Sequence, residues 1–285
     1  MLKRLLELDA LPTRYAILEP SADLRERQRE RLGRRLIPPV FELVEWLDAP
    51  PDETWNGVLF ANEVIDALPT PRFTLRDGEV FEEGVALDGE GRFVRTDRPA
   101  DALLSAAVRH VERYLDAPFP DGYRSELLPQ LPYWIQAVMG GLDRGAMLFA
   151  DYGYPRREFY QADRDDGTLR AYYRHRVHND AYLWPGLQDI TASVDFTALA
   201  EAGTNAGFDL AGYTTQANFL LGNGLQERLD EAQARADEAT LLRLRNEAKR
   251  LTLPSEMGER FQLMGFSRDV EFGAAFLFND LSWRL

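Results

Sequence analysis

The sequence predicts an α/β fold organised on a parallel sheet, with a site along one edge of that sheet. Two observations lead there. Residues 57–61, Gly-Val-Leu-Phe-Ala, are an almost unbroken apolar run that stops abruptly at Asn62 and Glu63, with Asp66 three residues on. A run of this length suits a strand buried on both faces, as parallel strands are. Two further apolar runs also end in an acid: 15–18 in Glu19 and 145–150 in Asp151. In open α/β sheets ligands gather outside the carboxyl ends of the strands. Three strands that each deliver a carboxylate there point to an enzyme site. Taken singly, each acid has a plainer reading: Asp66 as a helix cap, Glu19 as an acid favoured ahead of a helix.

The other elements follow in order. Residues 1–8 read as the end of a helix, with Leu2, Leu5 and Leu6 at helical spacing, closed by Pro12. Ser21 is a good N-cap for a charged helix over 22–35, and a short strand is expected near 44–46. Asp77-Gly78 is a hairpin signal inside an alternating segment, and Asp88 to Gly91 gives a second turn. Together they predict an antiparallel meander inserted over about 72–96. Helices are expected at 100–115 and 131–142, the second ending at Gly140-Gly141. Asp189, Thr191 and Asp195 are polar where a core would not be; Asp195 also suits the N-cap of a helix over 196–206, with Gly207 to stop it. A strand over 208–213, one long charged helix over 224–251 ended by Pro254, and one or two strands in 261–278 complete the chain. The expected organisation is a single domain over 1–285, with the meander and a helical insertion over about 224–254.

Bulk properties bound the function. The chain has 285 residues, ample for a sizeable core. Its net charge of −14 argues against binding nucleic-acid phosphates or anionic membranes, and suits a basic partner. Without cysteine there is no disulfide, thiolate catalysis or cysteine-based metal site. His110, His175 and His178 show no metal-ligand spacing. No apolar run approaches the roughly 20 residues that span a bilayer. A cytoplasmic protein is the default expectation.

Six motifs then follow one another in a recognisable order: 15–28 (YAILEPSADLRERQ), 61–69 (ANEVIDALP), 151–154 (DYGY), 167–172 (GTLRAY), 189–196 (DITASVDF) and 215–220 (TQANFL). In this order they resemble the MidA family, the mitochondrial complex I assembly methyltransferases. The resemblance implies a class I, Rossmann-like methyltransferase, a mostly parallel sheet with helices on both faces, using S-adenosyl-L-methionine and methylating arginine in a protein substrate. It implies that Glu19 and Asn62 serve the cofactor and that Glu63 and Asp66 are catalytic. Asp151, Asp195 and His175 are expected on the substrate side. Carboxylates suit this acceptor: a guanidinium is always charged, so its nitrogen is a poor nucleophile, and a carboxylate can hold its planar fork and localise the charge away from the reacting nitrogen. The sequence departs from the family at the front. Class I methyltransferases carry a glycine-rich loop after their first strand, yet Gly33 is the first glycine here. A first strand and its loop are therefore expected to be missing. The competing expectation is a non-catalytic assembly chaperone that grips a basic segment with the same acidic groove.

Overall fold

The computed structural model describes residues 1–174 and 176–285, in two compact units, Met1–Trp55 and Asn56–Leu285, where one domain was expected. In the first unit, helix α1 (Leu2–Glu7) leads to strand β1 (Tyr15–Leu18), helix α2 (Ala22–Arg35), the single turn α3 (Pro38–Phe41) and strand β2 (Val44–Leu47). β1 and β2 pair in parallel, Tyr15 opposite Val44 and Leu18 opposite Leu47. The Ser21 hydroxyl caps α2 by accepting from the Leu24 N–H at 3.3 Å. Asp23 in its first turn and Arg34 and Arg35 in its last complement the helix dipole.

The second unit holds two main sheets. The larger is built on β8 (Leu142–Tyr154), flanked by β3 (Trp55–Asn62), by β12 (Val194–Asp195) in parallel, and by β14 (Phe261–Arg268) antiparallel, with β13 (Asp209–Thr215) beyond β14. Five strands thus form a mixed sheet rather than a mostly parallel one, because the chain returns through β13 and β14 as an antiparallel pair. The smaller sheet is the predicted meander, β4 (Arg72–Arg76), β5 (Glu79–Leu87) and β6 (Phe93–Pro99), joined by an unforeseen strand, β7 (Arg124–Glu126). Asp77 and Gly78 both take positive φ, 49° and 77°, the geometry that a two-residue hairpin turn needs.

Helix α4 (Ala102–Glu112) covers the meander, burying Leu104, Val108 and Val111 against Phe73, Leu75 and Tyr123. Phe119 stacks on Tyr123 with 4.6 Å between ring centroids. Helix α5 (Leu131–Met139) precedes β8 and packs on α7 (Phe196–Asn205). Between them in sequence lie the single turn α6 (Arg156–Phe159) and the small three-stranded sheet β9 (Arg170–Tyr173), β10 (Arg176–His178) and β11 (Asp189–Thr191). Asp195 caps α7 as the sequence suggested, its Oδ1 accepting from the Ala198 N–H at 3.0 Å. Gly203 of α7 lies so close to the Phe266 ring that a Cβ would fall 2.3 Å from it.

Two expectations fail for physical reasons. The run 57–61 is not buried on both faces: Val58 is 75% and Phe60 52% exposed, since β8 is the one strand partner of β3 among the described residues. The long helix over 224–251 is two helices, α9 (Leu225–Gln233) and α10 (Glu238–Thr252), because Asp237 accepts from the Thr240 N–H at 2.8 Å and starts a new helix. Residues 216–222, unassigned from the sequence, form α8, capped by the Thr215 hydroxyl, and of the one or two strands expected in 261–278 one forms, β14.

β3 and β8 meet at two glycines. A Cβ on Gly145 would lie 1.9 Å from the carbonyl oxygen of Gly57. Gly145→Ala therefore forces the strands apart and is expected to destabilise the second unit by about 2 kcal/mol or more, read as a fall in the denaturant midpoint.

Candidate functional site

The site is built where β3 runs out beside β8. Glu63 takes the left-handed conformation, φ 51°, which a non-glycine residue adopts at a cost of order 1–3 kcal/mol. Its own N–H still bonds the Ala150 carbonyl at 2.9 Å, the last rung between the strands. The bend then turns three successive backbone N–H groups, of Val64, Ile65 and Asp66, onto one oxygen: Asp151 Oδ2, at 3.2, 3.0 and 3.3 Å. Asp151 Oδ1 accepts from the Tyr152 N–H at 2.9 Å. Asp151 is 2% exposed, so both of its oxygens serve the backbone. Its expected substrate-side role is thereby corrected: it anchors the site rather than facing a ligand.

Burial, followed by the nearby charge of Asp66, pushes the Asp151 carboxyl up to about 7, against the backbone N–H bonds that hold it down. Burial likewise raises Asp66, against the Tyr152 hydroxyl, which holds it down, and with further upward pushes from the charges of Glu63 and Asp189. Three carboxyl groups thus share one neighbourhood: Asp66 buried, Glu63 and Asp189 exposed. Asn62 is exposed too and donates through Nδ2 to Glu63 Oε1 at 3.2 Å.

The buried side of this neighbourhood is polar. Asp66 and Thr191 are each 5% exposed. Asp66 Oδ1, the Thr191 hydroxyl and the Tyr152 hydroxyl are all buried atoms. The Tyr152 hydroxyl lies close enough to the Asp66 carboxyl and the Thr191 hydroxyl for both to bear on its ionisation, so the three form one buried polar cluster. Thr191 is brought here by β11, and the next residue ties the layers together, Ala192 N–H donating to the Asp66 carbonyl at 3.1 Å.

The remaining sequence candidates separate. Asp195 is committed elsewhere: besides capping α7 it pairs with the buried Arg156 at 3.2 Å, while Arg156 grips Glu201 with both terminal nitrogens, at 2.7 and 2.6 Å. Its expected substrate role is corrected on that ground. His175 lies outside the described residues. Glu19, in the first unit, ends β1; its Oε1 accepts from the Ser21 N–H at 3.0 Å and its Oε2 from Gln28 Nε2 at 3.1 Å. Each carboxylate oxygen has a second lone pair, so Glu19 keeps capacity for ribose hydroxyls.

Sequence reasoning missed Tyr152 and Thr191 as site residues, although both sit in motifs where polar side chains interrupt apolar strands. It also passed over Glu126, which is fully buried and accepts from the Thr168 N–H at 2.5 Å. A cavity of about 670 Å³ lies beside the meander, lined by Thr70, Arg72, Glu83, Arg95, His178 and Tyr182. Its two arginines are paired, both with Glu83 and both with Asp166. No cluster of side chains suited to a metal ion occurs among the described residues, and no described helix is long and apolar enough to cross a membrane.

Comparison with known proteins bears on this geometry. Residues 3–214 match a family model described as "Putative S-adenosyl-L-methionine-dependent methyltransferase". The chain is 31% identical over 217 residues to a mitochondrial protein arginine methyltransferase, NDUFAF7, of Danio rerio, which covers 72% of this chain and 46% of that protein. It is 33% identical over 210 residues to the Homo sapiens counterpart, covering 70% of this chain and 43% of that protein. The chain therefore spans less than half the length of these relatives. Among solved structures, it resembles a Burkholderia thailandensis protein described as a "likely methyl transferase" and bound to S-adenosyl-homocysteine. The TM-score is 0.88 at 40% identity, covering all of this chain and 72% of that one. A second structure from the same organism, of an uncharacterised protein, gives 0.89 at 40% identity over all of this chain and 74% of that one.

The Asp151 carboxyl predicts a pH dependence. Its value rises from the unfolded 3.8 to about 7 in the folded chain, so the folded state binds the proton more tightly. Stability is then greatest below pH 4 as far as this group goes, and falls as pH rises toward 7, with a slope of up to about 1.4 kcal/mol per pH unit. Denaturant titrations at pH 5 and pH 7.5 are expected to show that loss in the wild type and much less of it in Asp151→Asn.

Proposed function

The chain belongs to a family of S-adenosyl-L-methionine-dependent methyltransferases, and we propose that the methyl acceptor is a guanidinium nitrogen of an arginine presented by a protein segment. The observation that carries this reading is the acidic neighbourhood at the end of β3: a buried carboxyl, Asp66, on which the charges of the exposed Glu63 and Asp189 bear. The names of the relatives, protein arginine methyltransferases, support it. So does the net charge of −14, which favours approach of a basic segment.

When bound, S-adenosyl-L-methionine supplies an electrophilic methyl group on a sulfonium. Glu19 would accept hydrogen bonds from its ribose hydroxyls, and in the second unit the Asn62 amide stands beside Glu63. Glu63 and Asp66 take the acceptor's fork between them. They orient the plane and draw positive charge toward the nitrogens they bond, which leaves the remaining nitrogen a better nucleophile. Positioning of this kind provides much of the rate in a displacement that needs in-line approach. The nitrogen that gains a methyl group must lose a proton. Glu63 is exposed, so a proton that it accepts can pass to water. The left-handed backbone of Glu63 fixes its side chain at the mouth, and Asp151 fixes that backbone through the following three N–H groups.

Two measurements test the reading on the whole chain. With labelled S-adenosyl-L-methionine, methyl incorporation is expected into an arginine-containing basic peptide and not into its lysine counterpart; incorporation into neither overturns the proposal. Glu63→Gln is expected to lower that rate by about a hundredfold or more while calorimetry shows S-adenosyl-homocysteine binding unchanged. Full activity of Glu63→Gln removes the residue from its role. Glu19→Gln is expected to do the reverse, weakening S-adenosyl-homocysteine binding by roughly tenfold.

A further inference from the structure

The small sheet, in strand order β10-β9-β11, has two faces, and alternation along its strands sorts the residues between them. Directly opposed residues of antiparallel strands share a face. Val177 stands opposite Tyr172, and Tyr172 opposite Asp189. His178 stands opposite Ala171, and Ala171 opposite Ile190. The face of the second row is packed at β9 and β10: Ala171 is buried, and the half-buried His178 lines the cavity beside the meander. The segment that joins β10 to β11 folds back on this side, bringing the Trp184 ring to 4.5 Å from that of Tyr173 and, edge-on, to 5.3 Å from that of His178.

The face of the first row is open. Val177 is 58% and Tyr172 41% exposed, an aliphatic and an aromatic side chain as cross-strand neighbours. Their row ends at Asp189, whose charge bears on the buried Asp66 carboxyl together with that of Glu63. Tyr172 in turn lies close enough to Tyr152, a member of the buried polar cluster, to bear on its ionisation. Arg170, on the same face opposite Thr191, turns its guanidinium back to the Leu169 carbonyl at 2.9 Å. An apolar step therefore adjoins the acidic neighbourhood.

The spacing of that step matches an extended peptide. Neighbouring strands lie about 4.8 Å apart, which puts Tyr172 roughly 5 Å and Val177 roughly 10 Å from Asp189. Alternate residues of an extended segment point to one side at intervals of roughly 6.5–7 Å. A segment that directs an arginine to the carboxylates thus directs the residues two before and two after it toward the same surface. One of them comes over Tyr172 and Val177, while the immediate neighbours of the arginine point away.

Resting on the arginine reading above, we propose that the exposed face of β9 and β10 binds the acceptor segment through an apolar side chain two residues from the target arginine. Charge and apolarity are then both matched: the cation meets Asp66, Glu63 and Asp189, and the apolar side chain removes Tyr172 and Val177 from water. This face selects among arginines by their neighbours in the segment.

The test is calorimetry on the full chain with S-adenosyl-homocysteine present and three acetylated heptapeptide amides: Gly-Leu-Gly-Arg-Gly-Leu-Gly, its isomer Gly-Gly-Leu-Arg-Leu-Gly-Gly, and Gly-Gly-Gly-Arg-Gly-Gly-Gly. The first is expected to bind about five- to tenfold more tightly than the other two. Val177→Ser, at an exposed position, is expected to melt as the wild type does and to lose most of that difference. Equal binding of all three peptides overturns the proposal and leaves the arginine reading standing. So does an isomer that binds as tightly as the first peptide. A Val177→Ser protein that keeps the full preference places the apolar contact elsewhere, and also overturns it. Should Val177→Ser melt lower, Val177→Thr, which keeps the shape of the side chain, carries the same comparison. A wild type that binds none of the three refutes the acceptor reading itself.

Discussion

One carboxylate oxygen organises the site. Asp151 Oδ2 gathers the N–H groups of Val64, Ile65 and Asp66, and without it the backbone after β3 would have three buried donors and no reason to turn. The turn in turn decides everything exposed around it. It points Glu63 outward from a left-handed residue, tucks Asp66 inward, and hands the Asp66 carbonyl to the Ala192 N–H, which draws β11 over the floor. The grip opposes its own burial. Backbone N–H bonds favour a charged carboxylate, whereas burial and the neighbouring Asp66 favour a neutral one, and burial prevails. The anchor of the site is thus a group whose charge is close to balance near neutral pH.

The acids at the ends of the three apolar runs serve three different purposes, which no reading of residue type alone could separate. Glu19 is held by the N–H that begins α2 and by Gln28, whose Oε1 in turn accepts from the indole N–H of Trp46 at 2.9 Å. Asp151 is wholly occupied by backbone. Glu63 alone is open to solvent and carries only the neighbouring amide of Asn62. A carboxylate left this lightly committed is where binding chemistry is cheapest to place, because no internal partner is stranded when a ligand takes it.

Much of the fold was legible in the sequence because local signals agreed with tertiary demands. Ser21 and Asp195 cap the helices they precede, Asp77-Gly78 makes its hairpin, and the strands at 15–18, 44–47, 55–62 and 142–154 stand at or within a few residues of their predicted places. What was hidden depends on partners distant in sequence. β7 is three residues long and exists because Arg72, Phe73 and Thr74 pair with it. The break at Ala234 to Asp237 interrupts a stripe of leucines and alanines whose period gives no warning; only the capping power of Asp237 does, and it competes with an otherwise continuous helical pattern. Exposure of Val58 and Phe60 cannot be read from an apolar run, since the run reports composition and not how many neighbours a strand finds. At the site, Asn62, Glu63 and Asp66 stood out as polar residues ending an apolar strand. Asp151 stood out equally and turned out to face the backbone, because hydrogen-bond direction is a property of the folded chain.

The region around Asp66 is polar on three elements: Asp66 in the turn after β3, Tyr152 in β8 and Thr191 in β11. Phenylalanine in place of Tyr152 and valine in place of Thr191 would fill nearly the same volume, so packing alone does not require the hydroxyls. Local choices that packing does not demand in an otherwise consistent fold mark the places where another demand prevails. Here the hydroxyls gather about a buried carboxyl, Asp66, to which Glu63 and Asp189 add like charge. Arg156, another buried ionic group, is met by Glu201 and Asp195 and ties α6 to α7. One network neutralises its charges internally; the other, braced by Asp151, concentrates like charge and so favours a cation from outside.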